Sequence, residues 1–180
     1  KITPYNTREK MTDFKKICWL HYGVNLSLYC SSKYKSQRLN RPVKPYSYDD
    51  FAWVTKKIDA EKYHGKLIKL RAAVKTDVIK NVGQGQLWLR VDLPDRNMAF
   101  FYNSDDFPIT DKKWNYYEII GNVDHNAVKI ASGVMLKGSG KLWLDDFRLF
   151  YKSNGKWLPI TVNNSSFEKN KRNEVPKNWT

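Results

Sequence analysis

Cysteine is scarce in this chain: Cys18 and Cys30 are the only two in 180 residues. Two thiols cannot build a disulfide scaffold or the usual four-ligand zinc cage. Glycine and proline are sparse as well, at 9 and 7 residues, which excludes collagen-like and low-complexity chains. No run approaches the roughly 18 consecutive apolar residues that a transmembrane helix needs, so membrane insertion is not expected. Histidine occurs three times, at His21, His64 and His125, never with His-x-x-x-His spacing. A Gly-x-Ser-x-Gly elbow is missing too, and Ser139 in Lys137-Gly138-Ser139-Gly140 reads as part of a hairpin. Carboxylate pairs for glycoside hydrolysis are defined by their separation in space, so sequence leaves them open. The expectation is a chain without enzymatic activity and without a cofactor. It begins at Lys1 rather than methionine, which reads as a trimmed or mature fragment, so the missing signal peptide says nothing about export.

What is present is a globular composition, 41% hydrophobic and 14% aromatic, of a size for one domain with a real core. The formal net charge is +14, and its distribution matters more than its sum. Residues 1–80 carry 18 Lys+Arg against 7 Asp+Glu, residues 81–150 carry 8 against 9, and residues 151–180 carry 6 against 2. Lysine supplies 24 of the 32 basic residues and is scattered rather than blocked. Without a groove-reading motif such a surface is solvation, so nucleic acid is not an expected partner.

From residue 66 onward, apolar residues alternate, which is the strand signal. Residues 66–75 set Ile68, Leu70, Ala72 and Val74 on one face, with Lys69, Arg71 and Lys75 on the other. Residues 86–92 set Leu87, Leu89 and Val91 against Trp88, Arg90 and Asp92. Tyr117 and Ile119 alternate with Tyr116 and Glu118, and Val128, Ile130, Val134 and Leu136 share a phase with Ser132. Leu142 and Leu144 are followed by Phe147 and Leu149, a slip of one residue at Asp145-Asp146 that a β-bulge would produce. Residues 51–58 read as a further strand. Turn chemistry marks residues 81–85, 94–97, 107–112 and 137–140. The sum is an all-β sandwich or barrel.

Near the start, residues 17–22 and 24–29 could pair as a hairpin around Gly23. That would set Cys18 and Cys30 opposite each other, either bridged or as two buried thiols. An internal echo relates Thr12-Asp13-Phe14-Lys15 and Trp19 to Ser165-Ser166-Phe167-Glu168, Pro176 and Trp179. Residues 1–160 are expected to form the module. Residues 161–180 would be its C-terminal strand or tail, or the start of a second similar module.

The landmarks Tyr63-His64-Gly65-Lys66, Leu87-Trp88-Leu89-Arg90-Val91-Asp92, Trp114-Asn115-Tyr116-Tyr117-Glu118 and Gly140-Lys141-Leu142-Trp143-Leu144-Asp145-Asp146 form an ordered set over most of the chain. In this the sequence resembles the galactose-binding-like jelly-roll module that precedes the catalytic domain of exported C-terminal-processing (tail-specific) serine peptidases. Similar modules occur in certain bacterial transcription regulators. The resemblance implies a jelly-roll β-sandwich, an extracytoplasmic location (periplasmic, cell-surface or secreted) and a non-catalytic accessory role. The implied partners are a carbohydrate or cell-envelope glycan, or a downstream peptidase domain. Tyr102 and Phe107 stand where the family carries Asp and Arg around its Asn-x-x-Asp-x-Pro loop.

Sugar recognition needs aromatic faces for C–H patches and fixed polar groups for hydroxyls. The outward set Trp88, Arg90, Asp92, Tyr116, Glu118 and Arg71 meets that need if it forms one platform. The plainer alternative is an ion-pair surface, Arg90 with Asp92 or Arg71 with Glu118. Tyr46, Tyr48, Trp53, Phe101 and Tyr102 form a second candidate, as aromatics on loops. Asp145 and Asp146 at a bulge suit a hard cation, and related jelly rolls share a structural calcium between a late Asp and a Glu after the opening Phe. Here Lys15 follows Phe14.

Overall fold

The computed structural model describes residues 18–19, 51–167 and 179. Among these residues seven strands follow in chain order: β1 (Cys18–Trp19), β2 (Phe51–Asp59), β3 (Leu67–Asp92), β4 (Met98–Asn103), β5 (Asn115–Asn122), β6 (Lys129–Ser153) and β7 (Lys156–Ile160). Two 3-10 turns, Glu61–Tyr63 and Pro94–Arg96, are the helical segments among the described residues. No helix among them is long and apolar enough to cross a membrane. The expected hairpin around Gly23, Cys30, and Tyr46 and Tyr48 lie outside the described residues.

Strands β3 and β6 organise the molecule. They pair antiparallel in two stretches, Ile68↔Tyr151 to Val78↔Gly140 and Gly83↔Gly138 to Asp92↔Lys129. Each crosses from one sheet to the other, so both have two arms. In one sheet the order is β1, the second arm of β6, the first arm of β3, then β5. In the other it is β2, the first arm of β6, the second arm of β3, then β4. Two four-stranded antiparallel sheets connected in this way are a jelly roll. β7 adds to the free edge of β6 through Leu149↔Ile160. The fold class expected from alternation is therefore the one observed.

Alternation also placed the core. Ile68, Leu70, Ala72 and Val74 from one sheet meet Leu87, Leu89 and Val91 from the other, all buried. Burial of such a layer is the main stabilising term of the domain. The slip at Asp145-Asp146 is a real bulge: three steps on β6 match two on β3 between Arg71↔Arg148 and Ala73↔Asp145. Phe147, just past it, is wholly buried against Trp179 at a centroid distance of 4.8 Å. Lys56 takes an inward phase as well; burial lowers its pKa, and its ammonium sits 5.9 Å from the Trp179 ring centroid, a favourable distance for a cation beside an aromatic face.

Three expectations are corrected. Residues 81–85 and 137–140 are not connecting turns; they lie inside β3 and β6, where the paired strands cross between sheets. Turn-favouring residues suit that crossing for the same reason they suit a turn, since Asn81 (φ 65) and Gly138 (φ 71) are left-handed. Trp53, Phe101 and Tyr102 belong to strands β2 and β4, not to loops. Val128 precedes β6 and is 43% exposed rather than part of the core.

The crossing makes a testable prediction. A Cβ on Gly138 would lie 2.0 Å from the Val82 carbonyl oxygen, whereas one on Gly155, with φ 76, meets nothing within 4 Å among the described residues. Gly138→Ala is expected to lower stability by about 3 kcal/mol, from backbone collision added to left-handed strain. Gly155→Ala should cost only the strain, about 1–2 kcal/mol. Urea midpoints of the two variants compare them directly.

Candidate functional site

The two outer faces of the sandwich point in opposite directions, and this divides the residues picked out from sequence. Trp88, Arg90 and Asp92 lie on the second arm of β3. Arg71, Tyr116 and Glu118 lie on the first arm and on β5, in the other sheet. The single platform expected for all six is two separate faces. The reason is the crossing at residues 78–83: one strand supplies outward residues to both faces.

On the Trp88 face, pairing lines up residues from four strands. Thr55, Gly133, Trp88 and Asn103 form one row, and Lys57, Ala131, Arg90 and Phe101 the next. Trp53 and Met135 precede them, and Asp92 pairs with Met98 beyond. The edge strands carry large apolar side chains that stay open to solvent: Phe51 (47%) and Trp53 (48%) on β2, Met98 (56%) and Phe101 (51%) on β4. Phe51 and Trp53 are neighbours, with ring centroids 5.3 Å apart. Between the edges, β6 contributes only Ala131 and Gly133 to the two rows. The low middle makes a trough about 14 Å wide, three strand spacings of about 4.8 Å each, with Phe51 and Trp53 on its β2 side at one end and Phe101 and Met98 on its β4 side at the other.

Trp88 forms the floor of that trough. It is only 8% exposed, and a Cβ on Gly133 would come within 3.2 Å of its Cε2. Its indole Nε1 is buried and has no hydrogen-bond partner among the described residues. Trp88 therefore faces outward by phase, yet offers no open ring to a ligand. Arg90 and Asp92 form the ion pair weighed above, with Nε 2.6 Å from Oδ1 and Nη2 donating to Oδ2 at 3.1 Å. Sequence reasoning named Trp53 and Phe101 but put them on loops, and it passed over Phe51 and Met98. No local signal shows that residues 53 and 101 share a face, because three strand pairings separate them.

The opposite face is a lattice of cations and rings. The Arg71 guanidinium lies 3.9 Å from the Tyr116 ring centroid, and its Nε is 3.7 Å from Glu118. Lys69 is 3.6 Å from Glu118 and 4.9 Å from the Trp157 centroid. Lys75 is 4.7 Å from the Trp143 centroid. Asp145 and Asp146, the candidate cation ligands, do lie at the bulge. Asp145 Oδ1 accepts from the Asp146 amide. Asp146 accepts from Tyr116 OH at 2.8 Å through Oδ2, and from Arg148 Nε at 2.6 Å through Oδ1. Among the described residues no three His, Cys, Asp or Glu side chains gather as a metal site.

Three tyrosines donate to carboxylates: Tyr102 to Asp106, Tyr116 to Asp146 and Tyr117 to Asp111. Burial, then the hydrogen bond to the aspartate, pushes Tyr102 and Tyr116 up to about 12; the same causes push Tyr117 higher still. A phenol whose folded pKa exceeds its unfolded value stabilises the fold fully below the unfolded value. That contribution is lost as pH rises from about 10 through about 12. Tyrosinate absorbance should show these groups ionising late, together with falling stability in the same window. A titration with every tyrosine ionising near its ordinary value would contradict the hydrogen bonds.

No family model matches the chain. It is 34% identical over 97 residues to the uncharacterized HTH-type transcriptional regulator YbfP of Bacillus subtilis (strain 168), a match covering 53% of this chain. The chain spans about a third of that relative, 32% of its length. Among solved structures, family 16 carbohydrate-binding module 2 overlaps 56% of this chain and 70% of its own, at 14% identity and a TM-score of 0.42. The enzymatically active domain of bacteriophage CBA120 tailspike protein 4 overlaps 55% of this chain and 13% of its own, at 18% identity and 0.42. The CBM22-1-GH10 modules of the Clostridium thermocellum xylanase Xyn10B overlap 59% and 27%, at 10% identity and 0.38.

Proposed function

We propose that this chain is a non-catalytic carbohydrate-binding module of an exported bacterial protein, and that it takes a glycan into the trough over Trp88. The observation that carries the reading is the pair of apolar edges, Phe51 and Trp53 on one side and Met98 and Phe101 on the other, exposed on one face of one sheet. Solvent-exposed aromatic side chains grouped on one face mark an interaction surface, and flat rings suit the C–H faces of sugars. Arg90 and Asp92, held by each other, supply fixed polar groups beside the floor. In this reading Trp88 shapes the trough, and Trp53 and Phe101 make the stacking contacts. The extracytoplasmic placement rests on the sequence resemblance. Titration of envelope polysaccharides against tryptophan fluorescence tests the proposal: a saturable change is expected, and a flat response across a broad glycan panel rejects it.

A second reading, a spacer or protein-interaction module that positions or regulates a downstream peptidase domain, is favoured by one observation. Burial of Trp88 withdraws its indole from a ligand. It predicts no glycan response, and altered proteolysis by the parent protein when the module is deleted.

A further inference from the structure

Away from the trough, a cleft of about 440 Å³ opens where β6 bulges and the chain leaves β7. Asp146, Arg148, Phe150, Pro159, Ser165 and Ser166 line it. It fills a gap on the edge of β6, between the stretch paired with β1 at Leu144 and the stretch paired with β7 at Leu149. Within the gap, the Phe147 amide donates to the Ser165 carbonyl at 3.1 Å, which fastens residues 163–167 as one wall.

Arg148 gives this cleft its chemistry. A guanidinium carries five N–H donors, and Arg148 spends its Nε–H on Asp146 at 2.6 Å. Its two Nη nitrogens have no partner among the described residues, and the side chain is 54% exposed. The Asp146 contact therefore orients the fork without filling it, and Tyr116 OH holds Asp146 in turn. Arg71 lies directly across the strand pairing from Arg148. With Lys69 that makes three cations against two carboxylates, Glu118 and Asp146, on a chain whose net charge is +14. An oriented, half-used guanidinium on a cationic face suits a planar or tetrahedral oxyanion, bound through two parallel N–H donors.

We propose that this cleft binds an oxyanion group, a carboxylate or a phosphate, with Arg148 as its anchor. Ser165 and Ser166 are the neighbouring hydroxyl donors, and the apolar wall of Phe150 and Pro159 accepts the carbon skeleton that bears the anion. The site is separate from the trough and stands whether or not the trough binds glycan.

The test is NMR titration of the full chain with glucuronate, inorganic phosphate and neutral glucose in parallel. Glucuronate, phosphate or both should shift amides at residues 146–150 and 163–167, whereas glucose should leave them unmoved. The two anions tell a uronic-acid ligand from a phosphate-bearing one. Arg148→Gln should weaken the response about tenfold or more. Arg148→Lys keeps the charge but loses the fork, and should fall between it and the wild type. The proposal is overturned if glucose shifts the same amides as strongly, if neither anion shifts them, or if a folded Arg148→Gln protein binds like the wild type. Trp53→Ala should leave this response unchanged, so failure of the trough and failure of the cleft are told apart.

Discussion

Phe147→Ala is expected to lower the unfolding free energy by about 3–5 kcal/mol, the range for emptying a buried phenylalanine site. Phe147 has no exposed surface. Its ring meets Trp179 edge to face, at 4.8 Å and 80°, and Trp179 in turn packs at 4.8 Å on Phe167. Removing the ring leaves a cavity and withdraws the surface on which Trp179 and Phe167 rest. The neighbours have little freedom to collapse, because the Phe147 amide is tied to Ser165 and the bulge at Asp146 is held by Tyr116 and Arg148. Phe147→Leu keeps much of the volume and should cost about 1.5 kcal/mol or less if the site repacks. Chemical denaturation of both variants decides the matter. Equal and small losses would mean that the three rings do not form one packed cluster.

The Trp53→Ala, Phe101→Ala double variant is expected to lose glycan binding by a factor of about 100 or more. Each ring acts as an anchor worth about 1.5–2 kcal/mol or more, in the manner of aromatic hot spots. Both side chains are half exposed on edge strands, so stability should change by only about 0.5 kcal/mol per site. Trp88→Ala serves as the contrast. That indole is 8% exposed and stacked over Gly133, so its loss should reduce stability by about 3 kcal/mol or more, and binding only as the floor shifts. Calorimetric titration with one responsive polysaccharide, beside thermal melts, separates the two outcomes. Full binding by the double variant would remove the trough from consideration as the sugar site.

Much of the sandwich could be read directly from the order of residues. Strands β2 and β5, both arms of β3 and both arms of β6 follow from two-residue alternation, because which side a strand residue faces depends on its immediate neighbours. The bulge was legible for the same reason: Leu142 and Leu144 give way to Phe147 and Leu149, a phase slip written in four residues. Strand β7 carries a local signal of a different kind. Asn154-Gly155, with φ of 48° and 76°, is the two-residue hairpin turn that joins it to β6. Strand β4 is harder, since Phe100-Phe101-Tyr102 gives no alternation from which to choose an inner face.

The grouping of candidate residues was a different kind of problem. Arg71 and Arg90 share a strand and an outward phase on their own arms, yet they belong to opposite faces because β3 crosses between sheets. Trp53 and Phe101 lie far apart in the chain, yet stand on one face because β6 and β3 pair between them. Local alternation by itself determined an all-β chain, most of its core and its bulge, since burial phase is set within a few residues. The trough, the buried state of Trp88 and the cleft at Arg148 were decided only by tertiary pairing, because hydrogen bonds between distant strands choose which outward residues become neighbours.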